Sequence, residues 1–194
     1  PLLCRAFDAQ GWPVAMPSTL RQTLRGAYYH TLAHNLALYR ELSHVVATVQ
    51  HAAAPQSVPL VALKGAVLAS TLYPDIGLRP MTDIDLLIAP HHLALVETTL
   101  HDLDYIPSVP DVIPRFHWLY HHGISLVCTR YSWEVTLDIH WSIVTGTRDR
   151  HAPPIEWFLA HTEPWQIPSV STSAPPSPTL SMRQFTPTAH LLFL

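Results

Sequence analysis

Between Leu60 and Trp141 short apolar runs alternate with stretches of helical period, and that order restricts the fold more than any other feature of the chain. Leu60-Val-Ala-Leu63 reads as a short buried strand, and Val67 to Tyr73 as two helical turns stopped by Pro74. Asp83-Ile-Asp-Leu-Leu-Ile88 is an apolar strand with two acids at its entrance, and Pro90 opens a helix running to about Leu103. Gly123 to Thr129 and Trp133 to Trp141 are β-rich runs around Arg130-Tyr-Ser132, which suits a hairpin. Strand, helix, strand, helix and hairpin together imply an α/β (α+β) domain with a mixed sheet and flanking helices. An N-terminal helix precedes it: from Leu20 to about Val49 apolar residues recur at three or four residue steps without a proline, with Ser18 or Thr19 as the cap.

The segments outside this block divide the chain. Residues 1–19 hold three prolines and no clear period, and read as a loosely packed lead-in to a domain over 20–163. Residues 164–180 are rich in Pro, Ser and Thr and read as an exposed connector. Residues 181–194 read as the start of a truncated helical region. Apolar residues make up 48% of the chain, which excludes general disorder. The formal net charge of −3 argues against bulk nucleic-acid binding. No apolar run approaches the roughly 18 residues that span a membrane, and no signal peptide opens the chain. Cys4 and Cys128 form no CxxC unit, so the expected setting is a reducing cytoplasm.

The chemistry concentrates in carboxylates. On a strand, residues i and i+2 point to one side, so Asp83 and Asp85 converge while Ile84 faces the core. Two such acids repel, and a divalent cation removes the conflict; Mg²⁺ takes a few carboxylate oxygens together with phosphate oxygens and water. Asp138, in Trp133-Glu-Val-Thr-Leu-Asp-Ile-His-Trp141, completes a three-carboxylate cluster if its strand pairs beside Asp83–Ile88. Such a cluster holds two ions roughly 3.5–4 Å apart across an in-line phosphoryl displacement, and Asp138 is the natural general base. Glu134 shares a strand face with Asp138 and is a weaker competitor. Upstream, Lys64-Gly65-Ala66 joins a strand to a helix N-terminus, where backbone closely approaches an anion. Lys64 is the one lysine in the chain, which suits a triphosphate contact. Arg79 either grips phosphate bidentately or pairs with Asp75 or Asp83.

These pieces resemble a known family. Leu63-Lys-Gly-Ala, Gly77-Leu-Arg-Pro-Met-Thr-Asp-Ile-Asp-Leu-Leu-Ile88 and Leu137-Asp-Ile-His-Trp141, in that order, are similar to the uncharacterised nucleotidyltransferases of the DNA polymerase β-like superfamily. The resemblance implies a minimal polymerase β-like fold and transfer of a nucleoside monophosphate from an NTP to an acceptor hydroxyl, with pyrophosphate released. It implies Mg²⁺, or Mn²⁺ in its place, on Asp83 and Asp85, with Asp138 completing the site and activating the acceptor. Gly65 and Ala66 would stand where the superfamily has a Gly-Ser phosphate loop; Ala66 departs by lacking the hydroxyl. The long gap between Gly65 and Asp83, with an Arg shortly before the acids, looks like the nucleotidyltransferases of abortive-infection toxin systems.

Fourteen histidines add further candidates. His30 and His34 stand i, i+4 on the predicted helix, a zinc-compatible spacing without a HExxH glutamate. His91-His92 and His121-His122 read as surface or helix-start residues. His140 shares a face with Asp138 and is the candidate partner of a carboxylate or a phosphate. Trp118, Trp133, Trp141 and Tyr120 either stack a base or pack in the core. Two other functions compete: a catalytically silent nucleotide- or protein-binding module of the same fold, and a metal-dependent phosphohydrolase. The acceptor of a transferase would be a protein, an RNA 3′ end or a small molecule.

Overall fold

The computed structural model describes residues 1–109, 122–130, 132–143, 153–168 and 181–193. Among them seven strands form one mixed sheet in the order β3-β4-β5-β2-β1-β7-β6. Its centre is what the alternation of short apolar runs requires. β1 (Val61–Ala62) and β2 (Ile84–Leu87) are buried throughout, as strands covered on both faces must be. β4 (Gly123–Arg130) and β5 (Trp133–His140) form the expected hairpin, and β5 lies parallel to β2. β3 (Ile106–Pro107) pairs with β4 at one edge.

The long helix α2 (Ser18–Ala53) confirms the Pro-free helical pattern, although Pro17 is its N-cap and Ser18 its first helical residue. Its C-terminal half buries Leu38, Tyr39, Leu42, Val45, Val46 and Val49 at three and four residue steps. These pack with α3 (Lys64–Thr71), α4 (Leu93–Asp102) and one face of β1, β2 and β5 into the larger core. A smaller core covers the other face, where Val61, Leu63 and Leu87 meet Phe158 of α5 (Ile155–Ala160), Phe185, and Ala189 of α6 (Pro187–Phe193). None of the described helices is long and apolar enough to cross a membrane.

The chain ends differ from expectation. The lead-in holds a helix, α1 (Leu2–Gln10), with Cys4 buried. Side-chain contacts tie it to α2. Asp8 accepts a 2.8 Å bond from Trp12 Nε1 and pairs with Arg25, while the guanidinium groups of Arg21 and Arg25 lie over the Trp12 ring. At the other end, β6 (Thr162–Gln166) extends past residue 163 into the expected connector, and β7 (Ser181–Phe185) precedes the expected helix. β7 pairs parallel to β1, more than a hundred residues away in sequence, so local pattern does not reveal it. Pro164 is accommodated because β6 is an edge strand, where a missing N–H interrupts no second ladder.

His30 and His34 are absorbed by packing. His34 stacks on Trp133 with ring centroids 4.8 Å apart, and His30 meets the same ring edge-on. Among the described residues no third ligand joins them. Burial, then the charge of His30, holds His34 below the ordinary histidine value of about 6.5. The unfolded chain therefore takes up that proton more readily. Stability is full above the ordinary value and declines as pH falls towards the lowered one. His34→Phe keeps the stack without the proton, so its melting temperature is expected to fall less steeply than that of the wild type between about pH 7 and about pH 5. Equal slopes would show that His34 is not desolvated.

Candidate active site

The parallel register of β2 and β5 sets Asp85 directly beside Asp138 and Leu87 beside His140. The hairpin register then sets Ser125 opposite Asp138 and Gly123 opposite His140. Side-chain alternation puts Asp85 on the same sheet face as Leu87, the face of the smaller core. One ligand atom each of Asp85, Asp138 and His140 lies within 4.8 Å of the others.

Asp85 is the centre of this arrangement, at 3% exposure. Its Oδ1 accepts hydrogen bonds from Lys64 Nζ at 2.8 Å and engages His140 Nε2 at 2.9 Å. Burial opposes its charge, but those two partners outweigh burial and hold the carboxyl below its ordinary range. Lys64 reaches it because the Leu63 N–H donates to the Asp85 carbonyl, which places the next residue against the acid. Lys64 is also the first residue of α3 and has φ of 39°, a left-handed conformation disfavoured for a residue with a Cβ.

Asp83 precedes β2, half-buried and outside the close trio. Burial, then the charges of Asp85 and Asp138, raises its pKa. Among the described residues the closest donors are two acids and a histidine. Asp138 accepts a 2.5 Å bond from Ser125 Oγ. Glu134 is exposed, paired across the hairpin with Thr129, and about 13 Å down the strand from Asp138, so it is not part of the site.

The first turn of α3 borders these acids. Gly65 is buried, and a Cβ there would lie 3.7 Å from Arg79 Nη1, so the Arg79 guanidinium stands beside it. Asp75 is engaged by Tyr28 and by the Gly77 N–H, and no carboxylate among the described residues pairs with Arg79. The side chain of Ala66 is buried in the larger core, and its carbonyl accepts a 2.6 Å bond from the Tyr39 hydroxyl. Any contact of Ala66 with a ligand is therefore through its backbone N–H. Trp133 is taken up by the histidine stack and Trp141 is buried, whereas Trp118, Tyr120 and His121 lie outside the described residues.

The profile of a family described as "Uncharacterised nucleotidyltransferase" matches residues 1–186. The chain belongs to this family. No curated protein and no solved structure matches it. Two carboxylates and an imidazole whose ligand atoms lie within 4.8 Å of one another could hold a divalent ion.

Sequence reasoning passed over Ser125 and Gly123, which the register of the hairpin sets opposite Asp138 and His140. Gly123 is needed for space. A Cβ there would stand 2.7 Å from the Ile139 carbonyl oxygen and 3.1 Å from His140 Nδ1. Gly123→Ala is expected to destabilise the fold by about 1–3 kcal/mol. It is also expected to weaken Mn²⁺ binding by moving His140. Unchanged melting temperature and unchanged Mn²⁺ affinity would refute this.

Proposed function

We propose that the chain is a metal-dependent nucleotidyltransferase that moves a nucleoside monophosphate from an NTP to an acceptor hydroxyl and releases pyrophosphate. The observation that carries this reading is the meeting of Asp85, Asp138 and His140 beside the first turn of α3, in a member of a nucleotidyltransferase family. Asp83, Asp85 and Asp138 would hold Mg²⁺, or Mn²⁺ in its place, with His140 adjoining. A bound divalent ion supplies charge neutralisation at the phosphate oxygens.

The other steps belong to the side chains and backbone of this protein. Backbone N–H groups at Gly65 and Ala66 and the guanidinium of Arg79 orient the phosphates, and Lys64 neutralises charge beside Asp85. Ser125 fixes the rotamer of Asp138 through its short hydrogen bond. Asp138 accepts the proton of the acceptor hydroxyl as that oxygen attacks the α-phosphorus and pyrophosphate leaves. The acceptor is a protein, an RNA 3′ end or a small molecule, with bulk nucleic acid disfavoured by the net charge of −3. A cytoplasmic setting is part of this reading.

A second reading, a catalytically silent nucleotide- or protein-binding module, is favoured by one observation: the Lys64 ammonium and His140 already engage Asp85 Oδ1, so its charge is countered by protein groups. Calorimetry of each NTP with Mg²⁺ separates the two, run on wild type and on Asp83→Asn/Asp85→Asn. The transferase reading expects metal-dependent binding of an NTP, lost in the double variant, with pyrophosphate released from the nucleotide bound. Binding without release supports the silent module, and no binding with either Mg²⁺ or Mn²⁺ overturns the transferase reading.

A further inference from the structure

α2 carries a polar residue where its pattern calls for an apolar one. Asn35 lies on the buried face of the helix at 0% exposure, one turn before Tyr39. Burying an amide is costly unless its hydrogen-bonding groups are used, and all of them are. Nδ2 donates to the Ile76 carbonyl at 2.5 Å and to the Arg79 carbonyl at 2.8 Å, and Oδ1 accepts from the Met81 N–H at 3.3 Å. One side chain thus spans the loop that ends two residues before Asp83.

The same face of α2 grips that loop elsewhere. The Tyr28 hydroxyl donates to Asp75 Oδ2 at 2.6 Å. Gly77 approaches so closely that a Cβ on it would meet Tyr28 and Leu32 at 2.8 and 3.0 Å. Farther along, Tyr39 bonds the Ala66 carbonyl in the first turn of α3. Residues 28, 35 and 39 therefore tie one rigid helix to two backbone segments, one carrying Arg79 and the other carrying Lys64, Gly65 and Ala66. Between them the Arg79 guanidinium stands at Gly65.

The geometry points to Asn35 as a positioning residue for a polyphosphate, acting through the backbone of Arg79 to hold the guanidinium at the start of α3. This rests on the nucleotidyltransferase reading, since it takes Arg79 and Gly65 as the phosphate-binding half of the site. Anion binding by a guanidinium costs less when the segment that carries it is already ordered, because less backbone freedom is then lost on binding.

The test is a double-mutant cycle read by calorimetry with inorganic tripolyphosphate and Mg²⁺ on the whole chain. Asn35→Asp keeps the acceptor for Met81 but sets a carboxylate against two carbonyls. It is expected to weaken tripolyphosphate binding on the order of tenfold in the wild-type background. In an Arg79→Ala background the same change is expected to weaken it by less than about twofold, because the group it positions is gone. A purely structural role predicts the same factor in both backgrounds, and that result overturns the proposal. Should Asn35→Asp not fold, as judged by circular dichroism, Asn35→Ser takes its place in the cycle, with a side chain too short to hold both carbonyls. Absence of tripolyphosphate binding by the wild type would instead strike at the nucleotidyltransferase reading, and this inference would fall with it.

Discussion

Asp138→Asn is expected to cut metal-dependent pyrophosphate release by about a thousandfold while leaving stability within about 1 kcal/mol of wild type. Asparagine fills the same volume and still accepts from Ser125 Oγ, so the local hydrogen bond survives. What disappears is the negative charge beside Asp85 and the group that takes the acceptor proton. Loss of that charge also relieves repulsion, because Asp138 is one of the charges that raise the pKa of Asp83. Asp85→Asn separates the two effects. There Lys64 and His140 lose the carboxylate on which both converge, so stability is expected to fall together with activity. Pyrophosphate release and thermal melts on the two variants make the comparison. Activity of Asp138→Asn within about tenfold of wild type would remove Asp138 from the role of base.

The second large effect lies away from the site. Glu41 is fully buried on α2 at 0% exposure. Its Oε1 accepts from the Tyr105 hydroxyl at 3.0 Å and faces Arg130 Nε at 3.5 Å, while its Oε2 has no hydrogen-bond partner among the described residues. Arg130 also donates to the Leu103 carbonyl and approaches Asp104, so this cluster ties α2 to β4 and to the turn after α4. Burial, then the contact with Cys128 and the charge of Glu41, keeps Tyr105 above the ordinary tyrosine range and therefore a neutral donor.

Removing one member of such a cluster strands the others. Glu41→Ala is expected to cost about 3 kcal/mol in urea unfolding, with partial exposure of Arg130 keeping the figure at the low end. The triple variant Glu41→Met/Tyr105→Phe/Arg130→Met is expected to recover most of that loss, since the buried carboxylate and the two side chains that face it are then removed together, at the cost of the donor to the Leu103 carbonyl. A Glu41→Ala midpoint close to wild type would show that the cluster contributes nothing to stability.

Glu41 and Asn35 mark where pattern reading stops. Both sit on the face of α2 that the leucine and valine spacing marks as buried, and their chemistry depends on residues 41 to 89 positions away in the chain. Helical period identifies the face but not what a polar residue on it will meet. β7 was missed for the same reason, as a five-residue strand defined by a partner far upstream. The shared face of Asp138 and His140 was legible because strand alternation is local: two residues on one strand share a face whatever surrounds them, whereas their meeting with Asp85 depends on the register between two strands. The hold of Lys64 on Asp85 was not legible, because it depends on the Leu63 bond to the Asp85 carbonyl.

The sequence by itself determined the order of central strands and helices along the chain, the hairpin, the long helix, and that Asp138 and His140 share a strand face. These follow from apolar period, proline placement and strand alternation, all of which act over a few residues. Tertiary structure decided which of the acids stand closest, that His140 reaches Asp85 on the neighbouring strand, and that α2 anchors the segments bearing Gly65 and Arg79. Those depend on register between strands distant in sequence and on buried polar groups finding partners across the core, and neither is set until the chain has packed.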